Sequence, residues 1–278
     1  IKWTYHIVNN NKKRHKPNHM MLNFMRIIII VWFQSTAALV SQTPDFLYLS
    51  SFLKPSYEAD AKDLSSSSIV EMMPTTTNAR PLRQQLFASP LISNLYERIL
   101  PPLWEMGLRI GGPDAEYTAA VEYLGTGAVA LDLSCGTGFV GKRMALSGMY
   151  QHVFALDYSM EMLNECVASI NRENNKSLPI SIIRGDAGNL PFNDNVFDAV
   201  HWGAAMHCVP DVAQAMKEVH RVIKPGGKLY ATTFLRPFPD VVFRFFTLQD
   251  IQQLGQNAGF MNVDVEGRGV YGILRSVK

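Results

Sequence analysis

A turn of small residues, with acidic side chains before and after it, is the part of the chain best suited to chemistry. Residues 129–133 are apolar except for Asp132, and they lead into the turn Ser134-Cys-Gly-Thr-Gly138. Glycines let a ligand approach the backbone closely, and the helix predicted to follow offers free N–H groups to a carboxylate or phosphate. A second apolar stretch ends in Asp157, which is placed to accept hydrogen bonds from ribose hydroxyls. This order predicts a site for a nucleotide-like ligand.

The turn by itself fits two kinds of ligand. Residues 136–141 match the G-x-G-x-x-G pattern of dinucleotide-binding proteins. Asp132 argues against a dinucleotide, because its carboxylate would repel a pyrophosphate and attract a cation. S-adenosylmethionine carries a sulfonium, an ammonium and one carboxylate, so the charge pattern favours it over NAD. The structural alternative is a glycine turn in which Asp132 only caps a helix.

The elements that must position these side chains alternate between strand and helix. The strands are predicted at 129–133, 152–157, 180–185, 196–202, 227–234, 260–266 and 270–275, and helical patterns separate most of them. Such alternation is typical of a doubly wound sheet. The third strand runs into Asp186, which is placed to accept a hydrogen bond from the exocyclic amine of adenine. The alternative for Asp186 is a loop aspartate that makes an Asx-turn.

Several ordered motifs resemble those of class I S-adenosylmethionine-dependent methyltransferases. They lie at 131–138, 155–159, 185–192, 197–200 and 219–229, the last containing a Pro-Gly-Gly turn. The chain is most similar to the type-11 group, which includes the ubiquinone and menaquinone C-methyltransferases. Residues 89–90, 95–98, 198–208 and 232–236 resemble more narrowly the plastid methyltransferases of plants and algae that associate with plastoglobules. The resemblance covers about residues 85–278.

The resemblance implies a fold, a cofactor and a set of contacts. The fold is an α/β, Rossmann-like sheet of seven strands in the order 3-2-1-4-5-7-6, with the last strand antiparallel and an N-terminal helical cap. The cofactor is S-adenosylmethionine. The residues expected to contact it are Tyr96, Asp132, Ser134, Cys135, Gly136, Gly138, Asp157, Tyr158, Asp186, Ala187 and His201. Ser134 departs from the family, since most relatives carry glycine there.

Two histidines at the end of the fourth predicted strand are candidates for catalysis. Methyl transfer from a sulfonium is an in-line displacement, and a carbon or phenol acceptor also needs a general base. His201 and His207 lie where the acceptor and the methyl group should meet, and either is a candidate base. The alternatives are that His207 holds the loop before Pro210, and that His201 serves the methionine moiety of the cofactor through its backbone.

The link between the fifth strand and the last helix is short and apolar. It comprises Leu235 to Phe246, where members of the resembled family usually carry a longer helical lid. An exposed apolar stretch often marks a binding surface. We therefore expect a small lipophilic acceptor, such as a prenylquinone or phenol, and peripheral contact with a plastid membrane or lipid droplet. The alternative is a noncatalytic relative that binds the cofactor but lacks a working lid.

The chain is expected to have three parts. Residues 1–80 are predicted to be a targeting leader and disordered linker, residues 81–126 a helical cap, and residues 127–278 the cofactor-binding domain. The leader contains the apolar run 27–33, which is too short to span a membrane, followed by a Ser/Thr-rich segment. This combination suits import into a plastid, and the alternatives are the secretory pathway or the cytoplasm.

Composition excludes several other classes. A net charge of +2 is too mild to indicate nucleic-acid binding. Cysteine occurs only three times and without a pattern of spacing, which argues against a disulfide framework and against a zinc site. A hydrophobic fraction of 47% in 278 residues is enough for one good core and leaves no room for two large domains.

Overall fold

The computed structural model describes residues 49–58, 68–73, 112–172, 177–236 and 244–278. They belong to one compact unit, Thr43–Lys278. Tyr96, the first predicted cap helix and the middle of the short link lie outside the described residues, so the expectations placed on them stay predictions.

Eight strands in the described part of the chain form a single sheet. They are β1 (Ile69–Glu71), β2 (Gly127–Leu133), β3 (Tyr150–Asp157), β4 (Ile180–Arg184), β5 (Phe197–Trp202), β6 (Ile223–Phe234), β7 (Met261–Arg268) and β8 (Tyr271–Val277). Their order is β1-β4-β3-β2-β5-β6-β8-β7, and β8 is antiparallel to both of its neighbours. Strands β2 to β8 reproduce the predicted seven-stranded order with its antiparallel last strand, which confirms the fold class. The additional strand β1 pairs in parallel with β4 at the edge.

Helices cover both faces of this sheet. Within the described residues they are α1 (Pro55–Glu58), α2 (Gly112–Leu124), α3 (Phe139–Leu146), α4 (Met160–Arg172), α5 (Val212–Val222) and α6 (Leu248–Ala258). Successive side chains of a strand point to opposite faces, so the neighbours Leu131 and Ala130 belong to different core clusters. Leu131 packs in a cluster with α5 and α6. Ala130 packs instead in a cluster with α2, α3 and α4. The two clusters make the doubly wound arrangement, and α2 falls within the range 81–126 predicted to be a helical cap.

Local sequence signals set the ends of the helices. Asp211 caps α5 by accepting a hydrogen bond from the backbone N–H of Gln214 at 2.9 Å. Thr247 and Asp250 form a capping box at the start of α6. The same helix ends at Gly259, whose φ of 101° lies in the left-handed region that glycine tolerates. Both helices thus begin at residue types that favour an N-cap, and α6 ends at the residue type that favours a left-handed C-cap.

Two segments of the predicted disordered linker instead belong to the fold. Lys54 donates a backbone hydrogen bond to Pro191 at 2.8 Å, and β1 continues the sheet beyond β4. Leu53 is 0% exposed and Met72 is 1% exposed, within the same core cluster as Leu131. The prediction of disorder up to residue 80 is therefore wrong for 49–58 and 68–73. These segments are too short to show a sustained apolar period, and their burial depends on partners far away in the sequence.

No helix among the described residues is long and apolar enough to cross a membrane.

Candidate functional site

The turn after β2 has the backbone shape that close approach of a ligand requires. Ser134, Gly136 and Gly138 have φ angles of 56°, 55° and 77°. The backbone N–H of Cys135 donates to the carbonyl of Leu156 on the neighbouring strand at 3.0 Å, which ties the turn to the sheet. A Cβ atom added at Gly136 would meet no other atom within 4 Å. The turn is therefore a rigid loop with open space beside Gly136.

Asp157, at the end of β3, holds this loop from the side. Its Oδ2 accepts a hydrogen bond from the backbone N–H of Gly136 at 2.9 Å, and its Oδ1 accepts one from Ser159 N–H at 2.8 Å. Burial raises the pKa of this carboxyl, while the hydrogen bonds from backbone N–H groups oppose the rise. A carboxylate has about four acceptor positions, so these two bonds leave capacity for ribose hydroxyls.

Asp132 lies beneath the loop and has partners inside the protein. Its side chain is buried, and Oδ2 accepts a hydrogen bond from the backbone N–H of Gly141 in α3 at 2.7 Å. Its Oδ1 lies 2.7 Å from Nδ1 of His201, the residue paired with it across β2 and β5. The carboxylate thus binds a backbone N–H in the first turn of α3, which agrees with the alternative that Asp132 caps a helix. Its contact with a cationic ligand stays a prediction.

His201 is enclosed by two carboxylates and a ring. Nε2 lies 3.4 Å from Oε1 of Glu116, opposite the Asp132 contact, and the imidazole stacks on Tyr230 at 6.3 Å between ring centroids. Burial opposes a charge on this histidine, but the hydrogen bond to Asp132 and the attraction of both carboxylates outweigh it and raise the pKa to about 9. His201 therefore carries a proton at neutral pH, which argues against its predicted role as general base.

Glu116 is the residue of this site that the sequence analysis missed. It comes from α2, with its side chain only 14% exposed. Oε1 accepts a hydrogen bond from the Thr232 hydroxyl at 2.7 Å, and Oε2 accepts one from the Tyr271 hydroxyl at 2.6 Å. The spacing of the residues could have identified it, because positions 116, 120 and 124 lie on one face of a helix. Ala120 and Leu124 on that face are buried, which places Glu116 on the side that faces the sheet.

His207 lies in a different environment from His201. It belongs to a short 3-10 turn, Met206–Cys208, and is 6% exposed. Its Nδ1 is 3.4 Å from the hydroxyl of Thr233, and its ring contacts Phe234 edge-on and stacks with Phe245. Burial lowers the pKa of His207 to about 4. The imidazole is thus neutral at physiological pH and can accept a proton.

The predicted adenine end lies after β4. Asp186 Oδ1 accepts a hydrogen bond from the backbone N–H of Gly188 at 2.8 Å, which is the Asx-turn that the sequence left as an alternative. Ala187 is buried in the core cluster. Tyr158 is half-buried next to Asp157, and its carbonyl accepts a hydrogen bond from Nε of Arg184 at 3.1 Å.

Two cysteines meet below the loop. The pKa of Cys135 is raised well above its usual value by a hydrogen bond with Cys166 and by burial. A Cβ atom added at Gly138 would overlap the Sγ atom of Cys166, in addition to the positive φ at that glycine. The raised pKa disfavours the thiolate form of Cys135, and Gly138 is required by its close contact with Cys166 of α4.

These groups together suit S-adenosylmethionine. The loop gives backbone access beside Gly136, and Asp157 gives an acceptor at the end of the neighbouring strand. Both lie at the carboxyl edge of the parallel strands, where doubly wound sheets bind nucleotide-like ligands. Fold and site define a Rossmann-like domain of the S-adenosylmethionine-dependent methyltransferase class.

Known sequences that are similar to this chain are also methyltransferases. Residues 131–231 match the family model for a methyltransferase domain. It is 41% identical over 167 residues to an uncharacterized chloroplastic methyltransferase of Arabidopsis thaliana, covering 58% of this chain and 46% of that one. It is 36% identical over 113 residues to the 2-phytyl-1,4-naphtoquinone methyltransferase of Nostoc punctiforme, covering 40% and 49%. The chain spans about half the length of these relatives.

Solved structures show the same fold. An S-adenosylmethionine-dependent methyltransferase from Aquifex aeolicus superposes with a TM-score of 0.55 at 18% identity, covering 68% of this chain and 97% of that one. The [4+2]-cyclase SpnF superposes with a TM-score of 0.58 at 19% identity, covering 74% and 99%. At such identities the likeness establishes the fold alone.

Proposed function

We propose that the protein transfers a methyl group from S-adenosylmethionine to a small lipophilic acceptor of the prenylquinone or phenol type. The observation that carries the proposal is the loop after β2, fixed by Asp157 and open beside Gly136. Its support from relatives is the similarity to a naphthoquinone methyltransferase.

The residues that would hold the cofactor lie along the carboxyl edge of the sheet. Loop residues Ser134 to Gly138 would face its methionine part, Asp157 its ribose hydroxyls and Asp186 its adenine amine. Tyr158 and Ala187 would line the adenosine, and Tyr96 of the cap would close over the methionine end. When bound, S-adenosylmethionine supplies a methyl group on a sulfonium, and positioning of the acceptor supplies much of the rate.

The acceptor side would be built around His207. Burial lowers the pKa of His207 to about 4, which keeps the ring neutral with a free lone pair but makes it a weak base. The ring would orient a phenol or quinol hydroxyl by accepting its hydrogen bond, and it would take the proton only as methyl transfer makes that hydroxyl more acidic. Phe234 and Phe245 contact this ring and give the surroundings an apolar character that suits a hydrophobic ring or prenyl tail. His201 serves instead as a fixed cation that binds Asp132.

Two measurements test the proposal. Calorimetric titration should show binding of S-adenosylhomocysteine and no binding of NADH. Incubation with methyl-labelled S-adenosylmethionine and a plastid lipid extract should label a lipophilic product. Replacement His207→Gln should lower turnover by roughly 10²–10⁴ and leave the affinity for S-adenosylhomocysteine unchanged. NADH binding without S-adenosylhomocysteine binding would instead establish the NAD-type oxidoreductase.

A noncatalytic relative, or one with another activity, is the second candidate. The observation in its favour is the short connection from Phe234 to Leu248, where a longer lid is usual. The cyclase with the same fold illustrates that the fold admits other chemistry. Binding of S-adenosylhomocysteine without methyl transfer to any prenylated or phenolic acceptor would favour this candidate. Preference for acceptors with long prenyl tails over tailless analogues would favour the methyltransferase.

We further propose a plastid location, with peripheral attachment to a membrane or plastoglobule. The Arabidopsis relative is described as chloroplastic, and the residues before 49 contain the leader pattern. A fluorescent fusion of residues 1–48 should enter plastids, and co-flotation of the full chain with plastoglobules would establish the attachment. Delivery of the fusion to the secretory lumen would contradict the location.

A further inference from the structure

Glu116, His201 and Asp132 form a buried row of alternating charge that crosses three elements. His201 of β5 lies between the two carboxylates, 2.7 Å from Oδ1 of Asp132 in β2 and 3.4 Å from Oε1 of Glu116 in α2. His201 and Asp132 have side chains only 3% and 2% exposed. A buried charge is tolerated only when it is paired, so removing either carboxylate leaves the row unbalanced.

Hydrogen bonds from outside the row hold Glu116 in place. The hydroxyls of Thr232 in β6 and Tyr271 in β8 donate to its two oxygens at 2.7 and 2.6 Å. Thr232 Oγ1 in turn accepts a hydrogen bond from the backbone N–H of Ala204 at 2.7 Å. Glu116 therefore ties α2 to the far half of the sheet and to the loop that follows β5.

The packing leaves this arrangement little freedom. A Cβ atom added at Gly203 would come within 2.6 Å of His201 Cε1 and 2.7 Å of Glu116 Oε1. Ala204, the next residue, has a φ of 46°, which is strained for any residue with a side chain. Strain that is kept beside a charged row points to a function for the row rather than to packing alone.

The far end of the row reaches the cofactor loop. Asp132 Oδ2 holds the backbone N–H of Gly141 in the first turn of α3, and α3 begins immediately after Gly138. We propose that Glu116 is a positioning residue for the cofactor loop, acting through His201 and Asp132 on the start of α3. This inference rests on the proposed cofactor site and adds Glu116, which would act on the loop through its contact with His201.

Glu116 would act on the loop through the proton on His201. The groups that face it are Asp132 from β2, Glu116 from α2 and Tyr230 from β6, with Tyr271 of β8 acting through Glu116. Without the Glu116 charge, His201 loses its proton at a lower pH. The neutral ring then attracts Asp132 less, and the start of α3 is held less firmly.

The test compares Glu116→Gln with Glu122→Gln in the full chain. Glu122 lies on the same helix but is exposed, so its replacement removes an equal charge without touching the row. The pKa of His201 is read from the NMR chemical shift of its labelled Cε1, and the affinity for S-adenosylhomocysteine is measured by calorimetry at pH 8. We expect Glu116→Gln to lower the His201 pKa by at least about one unit. We also expect it to weaken binding roughly two- to thirtyfold, with Glu122→Gln unchanged in both.

Tyr271→Phe provides a second route if Glu116→Gln does not fold. It removes one hydrogen bond that orients the carboxylate and keeps the charge, so it should weaken binding by less than Glu116→Gln does and should not lower the His201 pKa. An unchanged affinity in both variants, or an unchanged His201 pKa in Glu116→Gln, overturns the proposal. Failure of the wild-type protein to bind S-adenosylhomocysteine would instead refute the proposed function. The His201 titration needs no ligand, so it still tests the contact between Glu116 and His201 in that case.

Discussion

The carboxylate of Asp157 accepts a hydrogen bond from the backbone N–H of Gly136 at 2.9 Å, so the acid that ends β3 also holds the turn that follows β2. The residue predicted to bind ribose therefore has two tasks. It fixes the loop before a ligand arrives, and its remaining acceptor capacity is predicted to bind ribose. Preorganisation of this kind reduces the conformational cost of binding.

Asp157→Ala should accordingly weaken S-adenosylhomocysteine binding at least tenfold and also lower the melting temperature. A hydrogen bond to a charged group is worth about 1.5–3 kcal/mol, and both the ribose and the loop lose such bonds. The matched control is Asp211→Ala, which removes the cap of α5 away from the site. That variant should lose about 1 kcal/mol of stability and no affinity. Equal affinities in wild type and Asp157→Ala would exclude the ribose role.

The sequence allowed some of these relationships to be predicted, and the rest required the assembled sheet. Strand order, the caps of α5 and α6 and the acids at strand ends follow from local pattern and from the resemblance. The pairing of Asp132 with His201 does not, because it depends on the register between two strands 69 positions apart. Glu116 is similar, since its partners Thr232 and Tyr271 come from distant strands.

Leu53→Ala tests the correction to the predicted linker. Leu53 is 0% exposed in the main core cluster, so its truncation should cost about 2–5 kcal/mol of unfolding free energy. Leu146, which is 50% exposed, provides the control, and Leu146→Ala should change stability by less than about 1 kcal/mol. Urea unfolding measures both. If Leu53→Ala were as stable as wild type, the segment 49–58 would belong to a linker after all.

Ser134→Gly should stabilise the protein. Ser134 has a φ of 56°, which costs a residue with a Cβ atom about 1–2 kcal/mol, whereas glycine adopts it freely. Part of this gain is lost to the greater entropy of glycine in the unfolded chain, leaving a net gain of up to about 1 kcal/mol. The control is Asn262→Gly, since asparagine tolerates its φ of 50° better than serine does. Calorimetry should therefore show a larger rise in melting temperature for Ser134→Gly than for Asn262→Gly. The reverse order would contradict the strain in the turn.

Gly138→Ala should disrupt the loop through Cys166. The added methyl group would overlap Sγ of Cys166, and the φ of 77° adds strain. We expect a loss of at least about 2 kcal/mol of stability together with most of the cofactor affinity. Adding Cys166→Ala makes room for the methyl group but leaves the backbone strain, so the double variant should recover part of the stability. A double-mutant cycle measures this coupling, and strictly additive effects would show that the two residues do not collide.

The buried histidines should make the protein sensitive to acid. Burial lowers the pKa of His207 to about 4, while the unfolded residue titrates near 6.5. Between these values the unfolded chain binds more protons, so the stability that His207 contributes is present above pH 6.5 and lost as the pH falls towards 4. His152, whose pKa burial also lowers to about 4, acts in the same direction. His201 acts oppositely, and its contribution is lost as the pH rises through about 9.

His207→Gln should therefore reduce the loss of stability between pH 7 and pH 4 by up to about 3 kcal/mol, the equivalent of a pKa difference of about 2.5 units. The measurement is urea unfolding at intervals across this range in wild type and variant. His152→Gln should independently reduce the loss of stability between pH 7 and pH 4, because His152 contacts Ser181 and Phe154 in another part of the core. Both variants should leave the decline towards pH 9 unchanged, since His201 is intact. Stability curves that run parallel to wild type between pH 4 and 7 would show that His207 titrates normally, and they would remove the reason for treating it as a neutral base.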